Sequence, residues 1–121
     1  MLAVIFEVWP ADGQREDYLA LAASLRADLH QMDGFLGVER FESLTEPGKL
    51  LSLSFWRDEE ALAAWRALPR HRAAQTAGRD RMFHDYRLRV AGVIRDYGLA
   101  DRAEAPQDSQ AAHCPGGKAP L

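Results

Sequence analysis

Leu50–Trp65, LLSLSFWRDEEALAAW, is the stretch whose reading decides the fold. Leu51, Leu53 and Phe55 alternate with Ser52, Ser54 and Trp56, the two-residue period of a strand with one oily and one mixed face. Asp58 then stands where an N-cap belongs, and Glu59 and Glu60 fill the first turn, where unpaired backbone N–H groups favour carboxylates. Ala61, Leu62 and Trp65 switch to helical spacing, so a strand runs straight into a helix. The oily strand face is expected beneath a helix, which leaves the Ser/Trp face for another partner.

Upstream, Leu2 to Trp9 reads as a strand apolar on both faces apart from Glu7, and therefore central in its sheet. Pro10 and Asp12-Gly13 end it, and Tyr18, Leu21, Ala22, Leu25, Leu29 and Met32 form the stripe of a helix over residues 14–31. Asp33-Gly34 stops that helix, with Gly34 suited to a left-handed C-terminal position. Phe35 to Leu44 is a second strand whose broken alternation predicts either a bulge near Glu39 and Arg40 or burial on both faces. Glu46-Pro47-Gly48-Lys49 turns the chain back into Leu50–Trp56, making a hairpin.

Downstream, Pro69 either breaks the helix or opens a second segment, along which His71, Ala74, Gln75, Gly78 and Met82 share one face. Phe83 to Tyr97 contains the last strand, with Arg87 and Arg89 on a mixed face. Residues 1–98 thus form one domain. Residues 99–121 lack an apolar period and read as a flexible tail or an arm that orders against a partner; it holds His113 and Cys114, which make a poor metal site.

With 121 residues, 47% hydrophobic and 27% charged, the chain has room for one core. A formal net charge of −3 with no basic block disfavours nucleic acid and anionic membrane as partners. No apolar run reaches a membrane span and the first nine residues lack a signal peptide's basic start, so a cytoplasmic location is expected. A single cysteine leaves no internal disulfide framework.

The element order, strand-helix-strand-strand-helix-strand, is that of an α+β ferredoxin-like βαββαβ fold, with both helices on one face of a four-stranded antiparallel sheet. The strand parities place Ile5, Glu7, Trp9, Ser52, Ser54, Trp56, Arg87, Arg89, Ala91 and Val93 on the open face. That face is too apolar for water, and a homodimer with two sheets facing each other is expected to cover it.

The join SFWRDEEALAAW, the following LPRHRAAQTAGR and the closing FHDYRLRV resemble the antibiotic biosynthesis monooxygenase family of dimeric α/β-barrel proteins, over about residues 2–97. The resemblance implies oxygenation of a small aromatic hydroquinone, anthrone or polyketide-like phenol by O2 without metal or flavin, in a site between sheet and helices of each protomer. It also implies that heme degradation is disfavoured. Gln75 stands where that branch of the family has its iron-ligating histidine, ten positions after Trp65, and Glu7 or Val8 where it has an asparagine.

His71 is the candidate general base, because its pKa lies near neutrality; it could equally be a surface or dimer-contact residue. Arg87 and Arg89 are candidate stabilisers of an oxyanion, or partners of Glu7 or Glu39 on neighbouring strands. Glu7, Trp56, Trp65, Gln75 and Tyr86 are candidate pocket residues around an aromatic ligand, with plain core packing the alternative for the aromatics. The competing function is a non-catalytic dimeric ligand-binding or stress-response protein of the same fold.

Overall fold

The structure is a computed structural model and describes residues 1–112, so His113 and Cys114 lie outside the described residues. The chain runs β1 (Leu2–Pro10), α1 (Arg15–Ser24), α2 (Arg26–Gln31), β2 (Phe35–Glu42), β3 (Leu50–Trp56), α3 (Glu59–Ala67) and α4 (Pro69–Ala77). A π-helical turn (Gly78–Met82), β4 (Phe83–Gly92) and α5 (Gln107–Ala112) follow. The sheet order is β2-β3-β1-β4, with every neighbouring pair antiparallel, which is the ferredoxin-like arrangement. Among the described residues no helix is long and apolar enough to cross a membrane.

Local chemistry accounts for the element ends. Asp58 caps α3 by accepting a hydrogen bond from the Ala61 N–H at 2.9 Å. Pro69 resolves the ambiguity of the helical stretch by opening α4 at its first position, where a missing N–H costs nothing. The single helix expected over residues 14–31 is two helices: the Leu25 N–H bonds the Ala22 carbonyl at 3.3 Å, a tightened turn that still carries Leu25 and Leu29 into the core. The hairpin turn closes as expected, with the Ser43 N–H donating to the Lys49 carbonyl at 3.0 Å and Gly48 at φ +82°.

Two strand readings need correction. The bulge in β2 falls between Phe35 and Gly37, making Leu36 the extra residue, rather than near Glu39 and Arg40. Gly37, at φ +156°, supplies backbone freedom there that the other two positions lack. The larger correction concerns β3. Leu2, Val4, Phe6 and Val8 lie opposite Trp56, Ser54, Ser52 and Leu50, so the Ser/Trp row of β3 faces the helices, and the oily row of Leu51, Leu53 and Phe55 faces away from them. On β1 and β4 the expected parities hold, with Ile5, Glu7, Trp9, Arg87, Arg89 and Ala91 on the outer face.

Trp56 explains the choice. It is 1% exposed and packs with Val4, Leu25, Leu29, Ala61, Leu62 and Trp65 in one cluster under the helices. A second cluster joins Val8, Tyr18 and Leu50, with Phe6 and Phe83 against it. Emptying a site like that of Trp56 costs about 3–5 kcal/mol, more than partial exposure of the smaller side chains on the outer row. The outer row remains half-buried and apolar, with Ile5, Leu51, Leu53 and Phe55 side by side.

Beyond β4 the chain stays tied to the sheet through the Val93 N–H to Met1 carbonyl bond of 3.0 Å. Arg102 then organises residues 97–109, lying over the Tyr97 ring and donating to the Gly98 and Ser109 carbonyls at 3.1 and 3.2 Å.

Gly34 tests the join of α2 to the sheet. It sits at φ +85°, and a Cβ there would stand 2.6 Å from the Cβ of Ala61 in α3. Gly34→Ala should lower stability by about 2–4 kcal/mol, the sum of the left-handed penalty and overpacking, read as a lower urea midpoint at unchanged slope.

Candidate functional site

The Ser/Trp row of β3 forms the floor of a cleft, and the aromatic residues stand at its two ends. At one end the Trp56 indole N–H donates to the Ser54 hydroxyl at 3.0 Å, which locks the ring and satisfies its buried donor. Trp65 of α3 packs on it with centroids 6.2 Å apart. Because Pro69 starts α4 directly after α3, His71 falls in the first turn and stacks on Trp65 at 4.5 Å with planes 27° apart. At the other end Phe6, Tyr18, Phe83 and Tyr86 meet edge to face, with centroids between 5.6 and 5.9 Å.

Gly78 makes this second end possible. A Cβ on it would stand 2.5 Å from Cε2 of Phe83, so only glycine lets the Phe83 ring come this close to the π-helical turn. That turn carries Arg79 and leads into β4. Such turns inside helices are frequent at functional sites.

Between the two ends lies a cleft of about 530 Å³, lined mainly by apolar side chains and reached by His71, Gln75, Thr76 and several arginines. It is within the usual size range of small-molecule sites. The cleft opens along β4, where Tyr86, Leu88 and Val90 line it and are nonetheless 40%, 50% and 43% exposed. A row of apolar side chains facing a cavity and left uncovered is what a bound ligand would cover.

His71 is the titratable group of this cleft with a resolved perturbation. It is half-buried, and among the described residues its enclosed Nδ1 has no hydrogen-bond partner. Burial pushes its pKa below the ordinary 6.5, the Trp65 backbone carbonyl partly offsets this, and the Arg72 charge adds to it. Burial thus disfavours the imidazolium and favours the uncharged form that a proton acceptor needs. Gln75, one turn further along α4, accepts a hydrogen bond from Arg72 Nη1 at 3.3 Å. Among the described residues no three His, Cys, Asp or Glu side chains gather as a metal site would require.

The structure thus brings together five of the expected site residues: His71, Trp56, Trp65, Gln75 and Tyr86. It leaves out Glu7, Arg87 and Arg89. Glu7 lies opposite Arg87, and Ile5 opposite Arg89, so all three belong to the outer face, across the sheet from His71. There the Glu7 carboxylate pairs with Lys49 Nζ at 2.5 Å and with Arg89, and Lys49 lies over the Trp9 ring at 5.0 Å. Those two cations, Lys49 foremost, hold Glu7 below the usual carboxylate range. The pairing alternative for Arg89 is the one observed, and an oxyanion role in this cleft is closed to both arginines.

In their place the cleft has Arg40, Arg66, Arg72 and Arg79, which the sequence reading missed, together with Tyr18, Ser52 and Thr76. A signal for two of them was present: Arg72 and Arg79 are seven positions apart and flank Gln75 at helical spacing, next to the face assigned to the site. Arg40 had no such signal, since its face depended on where the β2 bulge fell.

A family profile described as antibiotic biosynthesis monooxygenase matches residues 1–77. The chain is 50% identical over 93 residues to a Pyricularia oryzae protein named jasmonate monooxygenase ABM, covering 77% of this chain and 43% of that protein. It is 38% identical over 72 residues to the uncharacterized protein YqjZ of Bacillus subtilis, covering 60% of this chain and 59% of that one. The chain therefore spans less than two thirds of the length of either relative. Rv0793 from Mycobacterium tuberculosis superposes with a TM-score of 0.71 at 20% identity, over 80% of this chain and 98% of that structure, a likeness of fold. On the profile match and the 50% identity, the chain belongs to the antibiotic biosynthesis monooxygenase family.

Proposed function

We propose that this protein is a monooxygenase that uses His71 as the base and the cleft over β3 as the substrate site, without metal or flavin. The observation that carries the reading is His71 itself, stacked on Trp65 with its enclosed Nδ1 unpartnered among the described residues, in a cleft walled by aromatic rings. The family and the name of the Pyricularia oryzae relative support oxygenation over a scaffold role. The substrate class we favour is an electron-rich hydroquinone, anthrone or polyketide-like phenol, a flat molecule suited to lie between the Trp65 end and the Phe83 end.

The chemistry asks little of the protein. His71 takes a proton from the substrate, and the resulting anion passes one electron to O2. The two radicals recombine into a C–O bond, and the peroxide takes up a proton and loses water, so that CH2 and O2 become C=O and H2O. The substrate supplies all the electrons. Arg72 and Gln75, one turn from the base, can donate hydrogen bonds to the oxygen on which charge develops, and the apolar walls keep water from the radicals.

We further propose that two copies pack through the outer sheet face. Ile5, Leu51, Leu53 and Phe55 form an apolar centre there, bordered by the Lys49–Glu7–Arg89 cluster. Burying such a patch against its own copy is the common route to a symmetric dimer.

Three outcomes follow. Catalysed O2 uptake by metal-stripped protein should occur with a member of a hydroquinone and anthrone panel, and His71→Ala should lower kcat about 10²–10⁴-fold; uptake retained in that variant would move the base elsewhere. The acid limb of kcat/KM should inflect below the ordinary histidine pKa of 6.5, since the folded state disfavours the imidazolium. By the same linkage His71 contributes its stability in full above 6.5, and the contribution is lost as pH falls through the lower folded value; an inflection above 6.5 contradicts both. Light scattering should find a dimer at micromolar concentration and a monomer for Leu53→Glu, whereas a wild-type monomer would sink the packing proposal.

A further inference from the structure

The cleft is electropositive in a chain of net negative charge. Its lining contains Arg40, Arg66, Arg72 and Arg79 and no aspartate or glutamate. The chain has carboxylates to spare, and elsewhere arginines use them. Arg57 holds Asp33 at 3.1 Å, Arg70 holds Asp28 at 3.0 Å, and Arg89 holds Glu7. Among the described residues none of the four cleft arginines is in an ion pair. Arg72 is occupied by the Gln75 amide, and among the described residues Arg40, Arg66 and Arg79 have no side-chain hydrogen-bond acceptor.

These three come from separate elements, β2, α3 and the π-helical turn, and converge on one apolar cavity. Unpaired guanidiniums beside low-dielectric walls focus their field into the cleft and offer forked donors shaped for a carboxylate. We propose that the ligand of this cleft is a small organic acid bound as its anion, with an apolar or aromatic body between the two ring clusters and its acid group held by Arg40, Arg66 and Arg79. The inference takes the cleft as the substrate site, as above, and adds a permanent negative charge that the oxygenation chemistry does not itself require.

Two fluorescent probes with the same ring skeleton separate the two ideas: 1-anilinonaphthalene-8-sulfonate, an anion, and N-phenyl-1-naphthylamine, which is neutral. The anion should bind the full-length protein at least about tenfold more tightly, and raising salt from about 0.05 to about 0.5 M should weaken only the anion. Replacing all three arginines with glutamine, at exposed positions whose truncation leaves the core intact, should shrink the difference below about threefold. Arg26→Gln, exposed and outside the cleft, should leave it unchanged. Equal binding of the two probes, or a preference that survives in the triple variant, overturns the anion inference while leaving the cleft a ligand site. Binding of neither probe overturns both.

Discussion

The indole of Trp56 is the interaction on which the rest of the structure depends. It ends β3, is 1% exposed, satisfies its N–H within its own strand at Ser54, and meets Phe35 and Trp65 ring to ring. Once it is buried under the helices, alternation forces Ser54 and Ser52 to the same side, so two polar residues line a surface that would otherwise be dry core. A cleft rather than a filled core results. Trp65 then rests on Trp56, and His71 on Trp65, so the imidazole is positioned through a column of aromatic rings rooted in the sheet.

The same strand gives the sheet two apolar faces with different electrostatics. On the helix side the charged residues around the cleft are arginines without carboxylates. On the outer side charge is balanced locally, Glu7 lying between Lys49 and Arg89. Balanced charge suits a surface that packs against protein, where an unpaired ion would be costly to desolvate. Unbalanced charge suits a surface that receives a small ligand. The two faces are thus distinguished by ion pairing more than by hydropathy.

Helix placement explains why the cleft has an entrance. The helices press on β1, β2 and β3 through the two buried clusters, while the inward row of β4 stays uncovered at Tyr86, Leu88 and Val90. Gly78 brings the end of the helical layer close to the sheet at Phe83, which closes one end of the cavity. Access is left along the edge strand.

Much of this was legible in the residues themselves. The order of elements, the Asp58 cap, the Pro69 restart, the hairpin turn and the ferredoxin-like fold all follow from local chemistry, because caps, turns and short-range periodicity depend on neighbours in the chain. Helical spacing likewise gathered His71 and Gln75, which both line the cleft. Which face of β3 looks inward did not. Leu51, Leu53 and Phe55 are oilier than Ser52, Ser54 and Trp56 taken together, and only the pairing of β3 with β1, together with burial of one large ring, reverses the choice. Arg87 and Arg89 went to the wrong site for a related reason: alternation says that two residues share a face, but the sheet's partners decide what that face meets. Periodicity is a property of one segment, whereas the cleft, its four arginines and its open edge arise from the registers of four strands and the layer above them.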